Sequence, residues 1–194
     1  MFVFEEVREM AVELPIYATD MSKRALKKYL SELQGEEVRE QLLDLYDRFP
    51  EVKEYYNFVF HPQEDKMLQE AKAKISNEYF PLRRKRPKAR RSVAQKFIKQ
   101  FLKLGVAPYH TSDLMLYNLE VAQSFSLNRN LPDAFYKSML NSYDEMVTFT
   151  ALNGLLPEFL ERIQKYHHQL EAKNWPLLEG FSRVLDQLDE NGKP

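Results

Sequence analysis

The chain has 194 residues, enough to bury one sizeable hydrophobic core. A composition of 44% hydrophobic, 29% charged and 13% aromatic residues excludes a disordered chain. The lack of cysteine excludes disulfides and thiolate chemistry, and no apolar run approaches the roughly 20 residues of a membrane helix. Net charge is −1, yet Tyr79 to Ser112 holds ten Lys and Arg and no Asp or Glu, so the remainder carries −11.

Residues 1–20 carry five acids against one base. Val3, Val7, Met10 and Leu14 make a short helical stripe that Pro15 ends, so this stretch reads as an N-terminal extension or an extra helix. Its start, Met1-Phe2-Val3-Phe4-Glu5-Glu6, lacks the basic and continuous apolar regions of a secretory signal, and the expected location is cytoplasmic. From Met21 a single all-α domain is expected to run to residue 190, followed by a tail at 191–194. Ser22 can cap a helix bearing Leu26, Tyr29, Leu30 and Leu33.

Helical spacing then recurs throughout. Val38, Leu42, Leu45, Tyr46 and Phe49 follow Gly35; Val52, Tyr55, Tyr56 and Val59 follow Pro50; Leu68, Ala71, Ile75 and Tyr79 follow Pro62. Val93, Phe97, Ile98, Phe101 and Leu102 follow the basic stretch, and Leu114, Asn118, Val121, Ala122 and Phe125 follow Pro108. Tyr136, Met139, Leu140, Tyr143 and Val147 come next, then Leu156, Phe159, Leu160, Ile163 and Leu170, then Leu177, Leu178, Phe181, Val184, Leu185 and Leu188. Pro62, Pro87, Pro108, Pro132, Pro157 and Pro176 precede or open these segments, where a missing N–H is tolerated. The expected fold is all-α, with about eight to nine amphipathic helices. They form either stacked helix pairs, as in a short α-solenoid, or a compact bundle.

Catalytic signatures are missing. The four histidines, His61, His110, His167 and His168, include no i, i+4 pair, and there is no HExxH, no Gly-x-Ser-x-Gly, no Walker loop and no Gly-x-Gly-x-x-Gly. No metal, cofactor or catalytic residue is expected. Asn118, in the middle of an apolar stripe, is expected to be buried with its amide hydrogen-bonded, as a register-fixing contact or a ligand contact.

The strongest feature is the run Arg83-Arg84-Lys85-Arg86-Pro87-Lys88-Ala89-Arg90-Arg91, seven bases in nine residues. Lys96, Lys99 and Lys103 share one face of the helix beyond it. Ser92-Val93-Ala94-Gln95 fits a capping box, which would put a helix N-terminus, a natural anion site, beside the arginines. Two readings compete. The bases bind an anionic partner, nucleic acid, phosphate or an acidic protein, with Tyr79, Phe80 or Tyr109 available for stacking. Alternatively they are neutralised by the acidic C-terminal third, where residues 133–190 hold ten acids against five bases.

Three stretches carry a resemblance: Met21-Ser22-Lys23-Arg24-Ala25-Leu26-Lys27-Lys28-Tyr29-Leu30, Lys88-Ala89-Arg90-Arg91-Ser92-Val93-Ala94-Gln95-Lys96-Phe97-Ile98, and Asp113-Leu114-Met115-Leu116-Tyr117-Asn118. They resemble an uncharacterised bacterial family, domain of unknown function 6155, over roughly residues 21–130. The resemblance supports Met21 as a start and implies no activity or site residue. Leu42 to Val52 is also similar to helix ends in α-solenoid proteins. The functional expectation is a non-enzymatic interaction module binding an anionic partner; a protein-binding scaffold and an enzyme without a motif are the alternatives.

Overall fold

The computed structural model describes residues 22–83, 86–127 and 129–191, the last five as backbone only. The stripe at 3–14, Arg84, Lys85, the Leu188 side chain and the tail at 192–194 lie outside the described residues. Nine helices and no strand occur among those described: α1 (Lys23–Glu32), α2 (Gly35–Arg48), α3 (Pro50–Phe60), α4 (Glu64–Tyr79), α5 (Arg91–Leu104), α6 (Pro108–Ser126), α7 (Asp133–Leu152), α8 (Leu156–Ala172) and α9 (Leu178–Asn191). The chain divides into two compact units at Tyr56 and Asn57, within α3.

In the first unit, Ser22 is the N-cap of α1, its Oγ accepting from the Ala25 N–H at 3.2 Å. Helix α2 opens at Gly35 with a capping box in which Glu37 Oε2 accepts from the Gln34 N–H at 2.6 Å. Gln41 Nε2 donates to Tyr29 Oη at 2.7 Å, tying α1 to α2. The apolar stripes of these helices stay largely uncovered. No residue of α1, α2 or α3 is buried, and Leu43 and Phe49 are 65% and 49% exposed.

The second unit has the opposite character. Helix α6 is its centre: Thr111, Ser112, Leu114, Met115, Leu116, Asn118 and Leu119 are all buried over a wide arc, and Asp113, Tyr117 and Glu120 on the other face are half-buried under side chains of α4 and α8. Helices α4, α5 and α7 pack on it, α9 packs on α7 and α8, and α8 reaches α6 through side chains. Four helices, α4, α5, α7 and α8, set against one central helix make this unit a bundle rather than a row of stacked pairs. The α4 stripe of Leu68, Ala71, Ile75 and Tyr79 is buried in full. Tyr143, Tyr166 and Phe181 bring α7, α8 and α9 together, with ring centroids 5.2–6.5 Å apart. Where α9 crosses α7, a Cβ at Gly180 would meet Leu140 Cδ2 at 2.6 Å, so any other residue there would displace the Leu140 methyls.

Asn118 sits in this core at 4% exposure, and its Oδ1 has no hydrogen-bond partner, unlike the paired amide the stripe suggested. An orphaned buried acceptor costs about 1–3 kcal/mol. Asn118→Leu removes the acceptor while keeping the number and branching of the side-chain heavy atoms. The variant is expected to match or exceed the wild-type stability by up to about 1 kcal/mol in urea unfolding. A loss beyond about 2 kcal/mol would show that the amide makes a bond the core depends on.

Candidate functional site

The basic run begins where α4 ends, and one residue governs its path. Glu78 lies on the last turn of α4 at 6% exposure, a buried carboxylate that needs partners. Arg90 supplies them in a two-pronged pair, Nε to Oε2 and Nη2 to Oε1, both at 2.9 Å. The Glu78 main-chain carbonyl also accepts from the Lys88 N–H at 3.1 Å and the Ala89 N–H at 3.0 Å. These contacts bring residues 88–90 back against the end of α4, with Ala89 in the left-handed region at φ 48°. Bonding to Glu78 raises the Arg90 pKa above its ordinary value.

Arg83, Arg86 and Lys88 are exposed in the segment, as are Lys96, Lys99 and Lys103 on α5. None of the six forms an ion pair among the described residues. The one base of the run seen in an ion pair there, Arg90, takes its acid from the adjoining helix, not from residues 133–190. Arg91 is half-buried, and its Nη1 is buried without a hydrogen-bond partner.

Two local readings are corrected. The N-cap of α5 is Arg90, with no side-chain cap, and Ser92 lies inside the helix, so no capping box forms there. The Glu78 contacts bring the chain into the helix two residues earlier than the pattern implied. Tyr79 is 2% exposed and packed against Phe125 at 5.3 Å, so its ring cannot stack on a partner. Burial pushes its hydroxyl up to about 12, opposed by Arg91 and assisted by Glu78. Phe80 beside it remains 48% exposed, and Tyr109, also half exposed, packs on Phe159 at 5.1 Å.

A second constellation was not evident from spacing. Asp113 on α6 accepts from Lys72 Nζ of α4 at 2.6 Å and from Arg162 Nη1 of α8 at 2.7 Å; Arg162 continues to Glu120 at 2.9 Å and 3.2 Å. Ser76 Oγ and Tyr117 Oη lie 2.5 Å apart, and Lys72 Nζ stands 5.1 Å from the Tyr117 ring centroid. At the start of α4, Glu64 Oε2 accepts from the Ala107 N–H at 3.2 Å and lies 2.9 Å from His110 Nδ1; His110 Nε2 lies 3.1 Å from Asp65 Oδ1. His110 thus bridges two carboxylates through opposite nitrogens, and no cluster suited to a metal ion occurs among the described residues. His167 lies at the core edge, 3.1 Å from Ser182 Oγ.

Every acid in the second constellation lies against Lys72, Arg162 or His110, and these contacts tie α4, α6 and α8 together. No helix among the described residues is long and apolar enough to cross a membrane.

Among the described residues the protein is all-helical, and the base-rich stretch between α4 and α5 is tied to Glu78 at residues 88–90. The chain belongs to the Family of unknown function DUF6155, whose model matches residues 21–189. No curated protein and no solved structure gives a match.

Burial raises the Asp113 pKa, but the hydrogen bonds and charges of Lys72 and Arg162 outweigh it, and the carboxyl titrates below its ordinary value. A lowered folded-state pKa stabilises the fold above the unfolded carboxylate range, and this is lost as pH falls through the folded value. Asp113→Asn is expected to cost about 3 kcal/mol at pH 7 in urea unfolding. The gap from wild type should close as the pH drops below the ordinary aspartate range. A gap independent of pH would mean that packing, not charge, is lost.

Proposed function

We propose that this protein is a non-catalytic helical interaction module whose basic segment binds an anionic partner, nucleic acid or another phosphate-bearing molecule, in the cytoplasm. One observation carries the reading: Arg83, Arg86 and Lys88 are exposed and without ion pairs among the described residues, on a segment whose far end is pinned by Glu78. Self-neutralisation would have paired those bases with acids. Exposed bases without ion pairs among the described residues instead raise the local concentration of anions and displace their counterions on contact. Half-exposed Phe80 adds an aromatic face next to the segment, suited to an unpaired base.

A second reading, a protein-binding scaffold, is favoured by a different observation. The apolar stripes of α1 and α2 have no buried residue, and exposed apolar faces of this kind suit protein contacts.

Binding of a mixed single-stranded oligonucleotide, followed by fluorescence anisotropy at several salt concentrations, separates the two. Affinity is expected to fall with salt with a log–log slope of about −0.7 per phosphate contact. The triple variant R83S/R86S/K88S should weaken binding and flatten that slope by about 2. Absence of binding at low salt, or binding that the triple variant leaves unchanged, would leave the scaffold reading.

A further inference from the structure

Helices α1 and α2 each have an apolar stripe that the rest of their unit leaves uncovered. Leu26, Tyr29, Leu30 and Leu33 line one side of α1 and its C-cap. Val38, Leu42, Leu45, Tyr46 and, at the C-cap, Phe49 line one side of α2. No residue of either helix is buried, and Leu26, Leu30, Leu42, Leu45 and Phe49 are 39–49% exposed. Isolated helices this short are marginal, so their stability has to come from burying such a stripe. The bond from Gln41 Nε2 to Tyr29 Oη joins the two helices but leaves both stripes open.

The two helices also carry opposite charge. Helix α1 has four bases, Lys23, Arg24, Lys27 and Lys28, against Glu32, a net +3. Helix α2 has five acids, Glu36, Glu37, Glu40, Asp44 and Asp47, against Arg39 and Arg48, a net −3. Both arginines of α2 are engaged within it, Arg39 by Glu36 at 2.8 Å and Arg48 by Asp44 at 2.9 Å. The four bases of α1 form no ion pair among the described residues, and neither do Glu40 and Asp47.

We infer that α1 and α2 form a self-association surface on which a second copy of this chain docks, α1 of each copy against α2 of the other. The inference rests on the protein-contact reading of these faces and names the partner. Each stripe calls for an apolar stripe of opposite charge, and a second copy carries both in complementary order. A two-fold exchange covers all four stripes at once. An acidic segment would answer α1 alone and a basic one α2 alone. Residues 1–20, with five acids against one base, are of the first kind.

Sedimentation equilibrium of the full chain at low salt, over two decades of concentration, tests the inference. A reversible monomer–dimer equilibrium is expected. The double variant L42S/L45S should weaken the dimer by about 10-fold or more. Charge reversal gives the sharper reading. The triple variant K23E/K27E/K28E turns α1 acidic, and E36K/E40K/D47K turns α2 basic. All six side chains are exposed, so each variant should keep its helicity by circular dichroism. Each variant alone should dimerise about 10-fold or more less tightly than wild type. Their equimolar mixture should form heterodimers at close to the wild-type affinity, because each then offers the sign that the other lacks. A wild-type chain that stays monomeric throughout, or a mixture no tighter than its components, overturns the inference. Hydroxyl-radical footprinting of the monomer separates that failure from failure of the protein-contact reading. Reactive Leu30 and Leu45 in a chain that does not dimerise refute self-association alone and leave the faces to a different protein. Shielded Leu30 and Leu45 in the monomer refute both.

Discussion

A carboxylate shut away from water must find a counter-charge, and Glu78 meets that constraint by reaching across to Arg90. The consequence exceeds one ion pair. Because the same residue's carbonyl accepts from Lys88 and Ala89, the chain leaving α4 has to double back, and α5 has to start at Arg91. The position of α5 against α4 and α6, and the presentation of the bases between them, both follow from that return. Arg90 is thereby consumed as a structural partner, while Arg83, Arg86 and Lys88 remain for solvent or for a ligand.

Helix α4 is fastened along its length by polar contacts on one side and apolar contacts on the other. Glu64, Lys72 and Ser76 meet His110, Asp113 and Tyr117 of α6. Leu68, Ala71, Ile75 and Tyr79 enter the core between them. Arg162 extends the polar side to α8 through Asp113 and Glu120. Such charge-assisted contacts contribute more by fixing which helix faces meet than by their net energy, since desolvation offsets much of the Coulomb gain. A frame set in this way can hold a cationic segment in place without neutralising it.

The all-helical fold was legible because its signal is local. The spacing of Leu68, Ala71, Ile75 and Tyr79, or of Phe159, Ile163 and Leu170, names the buried face directly, and prolines mark the starts at Pro50 and Pro108. Burial of Glu78 was readable in principle, since it lies three residues after Ile75 at the edge of that stripe. The choice of α5 cap was not, because it depends on Arg90 meeting a residue twelve positions earlier rather than on Ser92. The clamp around Asp113 was hidden for the same reason on a larger scale. Lys72 and Arg162 lie 41 and 49 residues from it, and surface-type residues in a helix carry no mark of their distant partners. In the first unit the stripes correctly gave helices but not burial, for periodicity says which face is apolar, not what covers it.

The central claim is that the end of the basic segment, residues 88–90, is a fixed element held by Glu78, and not a loose cationic tether. Hydrogen exchange at the Lys88 and Ala89 amides tests this most directly. Both N–H groups should be protected in the wild-type chain, and Glu78→Gln should lower their protection while the interior amides of α6 keep theirs. Exchange of Lys88 and Ala89 at the rate of an unstructured chain in the wild type, or protection untouched by Glu78→Gln, would contradict the account.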